Sequence, residues 1–132
     1  MKRILNPIAI LGAKQRLGED DAKQFALIPL IFLDAAKRGK CPHAGYNTLA
    51  TTILAAASIA SQTRSKAFYD LANKAYGLLV KAGMRPTDAL DLTTAEYSAI
   101  RAVISWYVRA LPTLEIGVFS RAYAKAETMM AH

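Results

Sequence analysis

Residues 41–63 have the sequence CPHAGYNTLATTILAAASIASQT, and this stretch, which contains no Asp, Glu, Lys or Arg, decides the fold. It is long enough to cross a bilayer as a helix. Its alanines add little transfer free energy, however, and it carries several side chains that lipid disfavours: Asn47, Thr48, Thr51, Thr52, Ser58, Ser61 and Gln62. A helix with small side chains on every face is typical of the centre of a bundle. We therefore predict a central, buried, Ala-rich helix over about 42–62 and no membrane span.

Apolar residues at three- and four-residue spacing continue on both sides of this stretch, and no alternating strand pattern occurs. The pattern predicts an all-α fold, a compact bundle of about five helices around the central one. The clearest helix start is Thr93-Thr94-Ala95-Glu96, which has the form of a capping box. The predicted helices are 19–39, 42–62, from 63 or 65 to 82, 93–111 and 113–130.

The first predicted helix has one buried face. Three- and four-residue spacing selects Phe25, Ile28, Phe32 and Ala36 for this face, with Leu27, Ile31 and Ala35 beside them. Pro29 lies inside this helix and has no backbone N–H. The sequence therefore predicts either a kink at Pro29 or a helix that starts later.

Length and composition indicate one folded domain. The chain has 132 residues, of which 53% are hydrophobic, and this is enough apolar side chain to bury a core but not two cores. Residues 1–18 are interrupted by Asn6-Pro7, Gly12 and Gly18, so we predict an irregular N-terminal arm there and a single helical domain over 19–132. Cys41 is the only cysteine, which excludes a disulfide scaffold. Because no secretory signal is recognisable, we expect a cytoplasmic protein.

Side chains suited to catalysis or metal binding are scarce. A nucleophile needs a neighbouring base. The one nearby pair, Cys41 and His43, flanks Pro42, and no acidic residue follows His43 until Asp70 to orient the imidazole. One Cys and two His do not supply a metal cluster. We therefore expect no enzymatic activity, no metal and no cofactor.

The charge balance favours an acidic partner. Lys and Arg number 17 against 10 Asp and Glu, a net charge of +7, and this makes nucleic acid a candidate partner. The positive charges are spread along the chain, and the polar junction 61–66 would suit a helix-turn-helix. The candidate contact residues for nucleic acid or an acidic partner are Arg64, Lys66, Arg101, Arg109, Arg121 and Lys125, with Lys2 and Arg3 in the arm.

The order of several short motifs is similar to that of a known group of proteins. These motifs are Asn6-Pro7-Ile8-Ala9, then Leu33, Ala36 and Lys37-Arg38-Gly39, then Leu49 to Ala57, and then Leu92-Thr93-Thr94-Ala95-Glu96-Tyr97 with Ala99-Ile100-Arg101. In this respect the chain resembles short all-helical proteins encoded by prophages and plasmids of proteobacteria. The resemblance implies a mobile-element origin and supplies no catalytic residues.

The sequence thus leads to two functional hypotheses and one assembly hypothesis. The first is a non-enzymatic, phage-type accessory protein that binds and modulates a host macromolecule, foremost a host protein, which we expect it to inhibit. The alternative is a basic DNA- or RNA-binding regulator. A homodimer is the assembly hypothesis, because full burial of the uncharged second helix within one small chain is difficult and a second copy would complete it.

Overall fold

The protein is described by a computed structural model that covers residues 16–130. Over these residues the chain is all-α, which confirms the predicted helical bundle. A short 3₁₀ turn, Leu111–Thr113, joins the last two helices. The helices are α1 (Glu19–Lys37), α2 (His43–Gln62), α3 (Lys66–Gly83), α4 (Thr94–Ala110) and α5 (Ile116–Met130).

Helix α2 is the centre of the bundle. Every residue from 52 to 60 is buried, and α2 packs against each of the other four helices. Its small side chains allow four neighbours to approach one helix at core packing density. The predicted central helix is confirmed, and no helix within 16–130 is long and apolar enough to span a membrane. One chain already buries residues 52–60 of α2, whereas Asn47 near its start stays exposed, so a second copy along α2 remains a prediction.

Helices α2, α3 and α4 run antiparallel in succession. The Tyr46 ring of α2 lies so close to Gly83, at the far end of α3, that an added Cβ would be 2.6 Å from Tyr46 Cε1. At the other end, Phe68 of α3 stacks on Trp106 of α4 with ring centroids 4.8 Å apart. Helices α2 and α3 therefore pair along their length, unlike a helix-turn-helix, whose helices cross at about 90–120°. The helix-turn-helix hypothesis for the 61–66 junction is wrong.

The start of α4 has the predicted capping box. The Glu96 N–H donates to Thr93 Oγ1 at 3.2 Å, and the Thr93 N–H donates to Glu96 Oε1 at 2.9 Å. The guanidinium of Arg85 adds a bidentate pair to the same carboxylate, at 2.8 and 2.6 Å. These donors, Arg85 foremost, hold the pKa of Glu96 at about 2. These hydrogen bonds fix the position at which α4 begins.

The buried face of α1 differs from the predicted one. Its buried residues are mostly small: Ala22, Ala26, Pro29, Leu33 and Ala36. Of the predicted face, only Ala36 is buried and Phe32 is half-buried, while Phe25 and Ile28 are exposed. The helix also continues through Pro29 from Glu19, so the later start is wrong. The small residues are inside because they let the α1 backbone approach α2 closely, whereas a row of large side chains would hold the two helices apart.

Residues 16–18 connect the predicted N-terminal arm to the bundle. The side chain of Leu17 is buried, and its backbone N–H donates to the carbonyl oxygen of Leu114 at 2.8 Å. The neighbouring Arg16 forms a backbone bridge with Glu115. The rest of the predicted arm, with Lys2 and Arg3, lies outside the described residues.

Candidate interaction surfaces

Cys41 and His43 do not form a catalytic pair. The Cys41 side chain is fully buried, its Sγ lies 3.5 Å from the Pro42 carbonyl oxygen, and burial raises the pKa of its thiol. A thiol that stays protonated is a poor nucleophile. His43 is exposed beside Tyr46, with ring centroids 6.4 Å apart. Among residues 16–130, no three His, Cys, Asp or Glu side chains lie close enough together to hold a metal ion.

Two helical carboxylates, Asp34 and Asp70, pair with neighbouring cations on the surface. Asp34 accepts from Arg38 at 2.7 Å, and Asp70 lies 3.7 Å from Lys66; all four side chains are exposed. Such i,i+4 pairs stabilise a helix by only a few tenths of a kcal/mol. They are surface features of their helices and supply no acid–base pair.

Five of the predicted basic residues lie around the C-terminal end of α2. Arg64 and Lys66 line a shallow depression of about 270 Å³ together with Ser61 and Tyr69. Ser61 and Tyr69 also line the adjoining depression, whose other wall includes Lys125. Residues far apart in sequence therefore share this end of the bundle.

Two further cations complete this end. Arg121 donates from Nε to Gln62 Oε1 at 3.0 Å, and Arg109 shares a depression with Thr63. Arg101 is eight residues earlier on α4, about 12 Å along the helix axis, and belongs to a different part of the surface. We call the group Arg64, Lys66, Arg109, Arg121 and Lys125 the basic end.

Arg64 at this end has an unusual backbone. Its φ of 59° is in the left-handed region, at the position after a helix where Gly is the usual residue. The turn is held by the Ser65 N–H, which donates to the Ala60 carbonyl oxygen at 2.7 Å. An arginine in this conformation carries a backbone strain of about 1 kcal/mol that a glycine would avoid. Arg64 is exposed at this turn.

Between residues 25 and 31, α1 exposes several large apolar side chains. Its large side chains, which are 40–57% exposed, are Phe25, Leu27, Ile28, Leu30 and Ile31. Single exposed apolar residues are common, but five on two successive helical turns form a contiguous patch, and such patches mark interaction surfaces.

A groove lies along one edge of this patch, between α1 and α2. It has a volume of about 350 Å³ and is open along its length. Phe25, Ile28 and Pro29 form its apolar wall, and a row of polar residues on α2, from Asn47 to Thr52, forms the opposite wall. The hydroxyl of Thr48 donates to the Ala44 carbonyl within α2 at 3.1 Å. The groove thus offers a mainly apolar surface with polar groups along one side, as binding grooves for protein segments do.

Packed aromatic side chains lie behind the groove. The ring of Phe25 packs on Phe119 with centroids 4.6 Å apart, and Phe119 packs on Tyr123 at 4.8 Å. The Tyr123 hydroxyl is 2.5 Å from that of the buried Tyr107. Burial raises the pKa of both tyrosines, so both stay neutral and hold the hydrogen bond. A preformed base reduces the ordering that a bound segment must bring about.

The groove and the apolar patch were not identified from the sequence. The available signal was the run of apolar residues around the whole of α1 between 25 and 33, which has more large side chains than one buried face can hold.

Comparison of the chain with known protein families, with curated proteins and with solved structures finds no match.

Proposed function

We propose that this chain is a non-enzymatic accessory protein of the phage or plasmid type, which binds and inhibits a host protein in the cytoplasm. The bound element is a segment of that host protein with an apolar face, and its binding site is the groove between α1 and α2. The observation that carries the proposal is the exposed apolar wall of Phe25 and Ile28 beside a preformed base.

The chemistry of the groove selects the kind of segment. Exposed apolar area favours burial at about 25 cal/mol per Å², so the affinity arises from Phe25, Ile28 and Pro29. The polar wall, with Asn47 at its exposed end, sets the orientation because an amide both donates and accepts hydrogen bonds. An amphipathic helix fits these walls, with its apolar residues toward α1 and its polar residues toward α2.

Capture from a nuclease-treated proteobacterial host lysate tests the proposal. The native chain is expected to retain a host protein, and Ile28→Asp, which places a charge in the apolar wall, is expected to lose it. Leu71→Asp on α3 is the matched control, since Leu71 is 44% exposed but lies away from the groove. Equal retention of a host protein by the native chain and by Ile28→Asp contradicts the proposal. It is also contradicted if the native chain retains no protein from the nuclease-treated lysate.

A second candidate function is nucleic-acid binding at the basic end. The observation that favours it is the clustering of Arg64 and Lys66 with cations from α4 and α5, with an arginine accepted at a strained position. Cations that share one end of a protein can neutralise several backbone phosphates together. In this arrangement the protein would bind the phosphate backbone of the nucleic acid without recognising its base sequence.

Fluorescence anisotropy with a labelled duplex over a range of salt concentrations tests this second candidate. Arg64→Glu and Arg121→Glu are expected to weaken binding and to reduce the salt slope, by about one for each phosphate that the variant no longer neutralises. Arg101→Glu makes the same charge change outside the basic end and is expected to have a smaller effect. No binding at low salt, or equal effects of all three changes, rules this function out.

A further inference from the structure

A regular stripe of residues follows the side of α1 that points away from the core. Its members are separated by four and three residues in alternation, the spacing of the a and d positions in a coiled coil. All six are exposed. We call this stripe the α1 seam: Asp20, Gln24, Leu27, Ile31, Asp34 and, at the C-cap directly after α1, Arg38.

The α1 seam is symmetric about position 29. Leu27 and Ile31 are two residues from that position on either side, and the polar members follow at five and nine residues. A two-fold axis across the helix at this point would set Leu27 against Ile31 of a second helix, and Asp20 against Arg38. A surface that is complementary to itself in this way is the requirement for an isologous dimer.

We propose that the α1 seam binds the α1 seam of a second copy of this chain, with the two helices antiparallel. A parallel pair would set Asp20 beside Asp20 and Arg38 beside Arg38, which costs free energy. The antiparallel pair instead brings the acidic first turn of each helix to the basic last turn of the other. This arrangement also aligns the two helix dipoles favourably.

The contacts seen in one chain leave room for this pairing. Arg38 holds Asp34 at 2.7 Å through one nitrogen, and its guanidinium keeps further donors for Asp20 of the second copy. Lys37 is turned toward Tyr97 of α4, with its ammonium 5.1 Å from the ring centroid, and thus away from the seam.

The size of the α1 seam sets the strength of the dimer. A helix of 19 residues is about 28 Å long, and a pair of such helices buries less than the roughly 800 Å² per partner of a standard interface. We therefore expect a dimer that dissociates on dilution through the micromolar range. The groove is on the α2 side of α1, so a dimer presents two grooves. The groove lining and the α1 seam have no residue in common, so each can be altered by its own substitution.

Measurement of particle mass by light scattering on the full chain, from about 10 to 500 µM, tests the dimer. The native chain is expected to approach twice 14.3 kDa at the upper end. Asp20→Arg alone and Arg38→Asp alone are each expected to weaken self-association at least tenfold, because each sets like charges together at both ends of the seam. Asp70→Arg is the matched control, since it reverses an exposed helical carboxylate away from α1.

An equal mixture of the two weakened variants provides the decisive observation. In the mixed pair both ends again bring opposite charges together, so the mass is expected to rise to that of a dimer. A mixture that stays monomeric overturns the inference, provided that circular dichroism shows both variants folded. A native chain that is monomeric at about 500 µM also overturns it. Loss of host-protein capture by the groove variants leaves these masses unchanged, so the two proposals fail separately.

Discussion

Glu96→Gln removes a buried charge while it keeps a side chain that completes the capping box. In the native protein Arg85 and Thr93 donate to this carboxylate and lower its pKa from 4.5 to about 2. One pKa unit corresponds to about 1.4 kcal/mol, so this carboxylate contributes about 3 kcal/mol at neutral pH. In the variant the Arg85 guanidinium can hydrogen-bond to water, because its side chain is 36% exposed, and this offsets part of the lost stabilisation. We therefore expect Glu96→Gln to lower the free energy of unfolding by about 2 kcal/mol at pH 7.

The effect has a defined pH dependence. Because the pKa of Glu96 is lower in the folded state than in the unfolded state, its stabilisation is complete above the unfolded value of 4.5. It is then lost as the pH falls through the folded value of about 2. The difference in unfolding free energy between the native protein and Glu96→Gln is expected to be constant from pH 7 to pH 5 and to shrink between pH 5 and pH 2.

Urea unfolding, followed by circular dichroism at several pH values, measures both quantities. Glu127→Gln is the control, because Glu127 is an exposed carboxylate on α5 and its replacement is expected to change stability by less than about 0.5 kcal/mol. A loss below about 1 kcal/mol for Glu96→Gln at pH 7, or a difference that does not change with acid, would refute the argument that this ion pair holds α4 in place.

Five further substitutions test the packing, each read as a change in the urea midpoint. Gly45→Ala is expected to destabilise the protein by about 1–3 kcal/mol, because the new Cβ would lie 2.5 Å from Cys41 Sγ and from a ring carbon of Phe32. Gly77→Ala on open helix surface is expected to stabilise it by up to about 1 kcal/mol. Equal effects of the two changes would count against the close packing of α1 on α2. Tyr123→Phe is expected to lose about 1–3 kcal/mol because it leaves a buried hydroxyl without its partner, and no loss would mean that water replaces that bond. Ile31→Asp is expected to leave the monomer folded, because the Ile31 side chain is 55% exposed. Leu33→Asp is expected to unfold it, because Leu33 is 3% exposed. The reverse result would mean that α1 buries the side predicted from periodicity.

Sequence reasoning was most reliable where a signal is local. The capping box at Thr93 and Glu96 was predicted correctly because its hydrogen bonds join residues three apart. The central position of α2 was also predicted, because an uncharged helix with small side chains on all faces is stable only when it is surrounded. Arg85 was missed, since its bond to Glu96 spans eleven residues across a loop and leaves no pattern in the sequence.

The candidate sites depended on distance in space. Six basic residues of the helical domain were proposed from composition, and only the folded chain separates Arg101 from the basic end. The groove was not predicted at all, because it forms from a wall of α1 and a wall of α2 that each resemble ordinary helix surface. Proximity of this kind is a property of packing and is not encoded at any fixed spacing.

The amino-acid sequence by itself determined that the chain is a bundle of helices and that residues 43–62 lie at its centre, because periodicity, capping and the absence of charge act on neighbouring residues. The orientation of α1 was decided only by the tertiary structure. Periodicity alone does not choose between two apolar faces of a helix, and the choice follows from how closely two backbones approach. The small face with Ala22 and Ala26 packs inside, and Leu27 and Ile31 remain exposed.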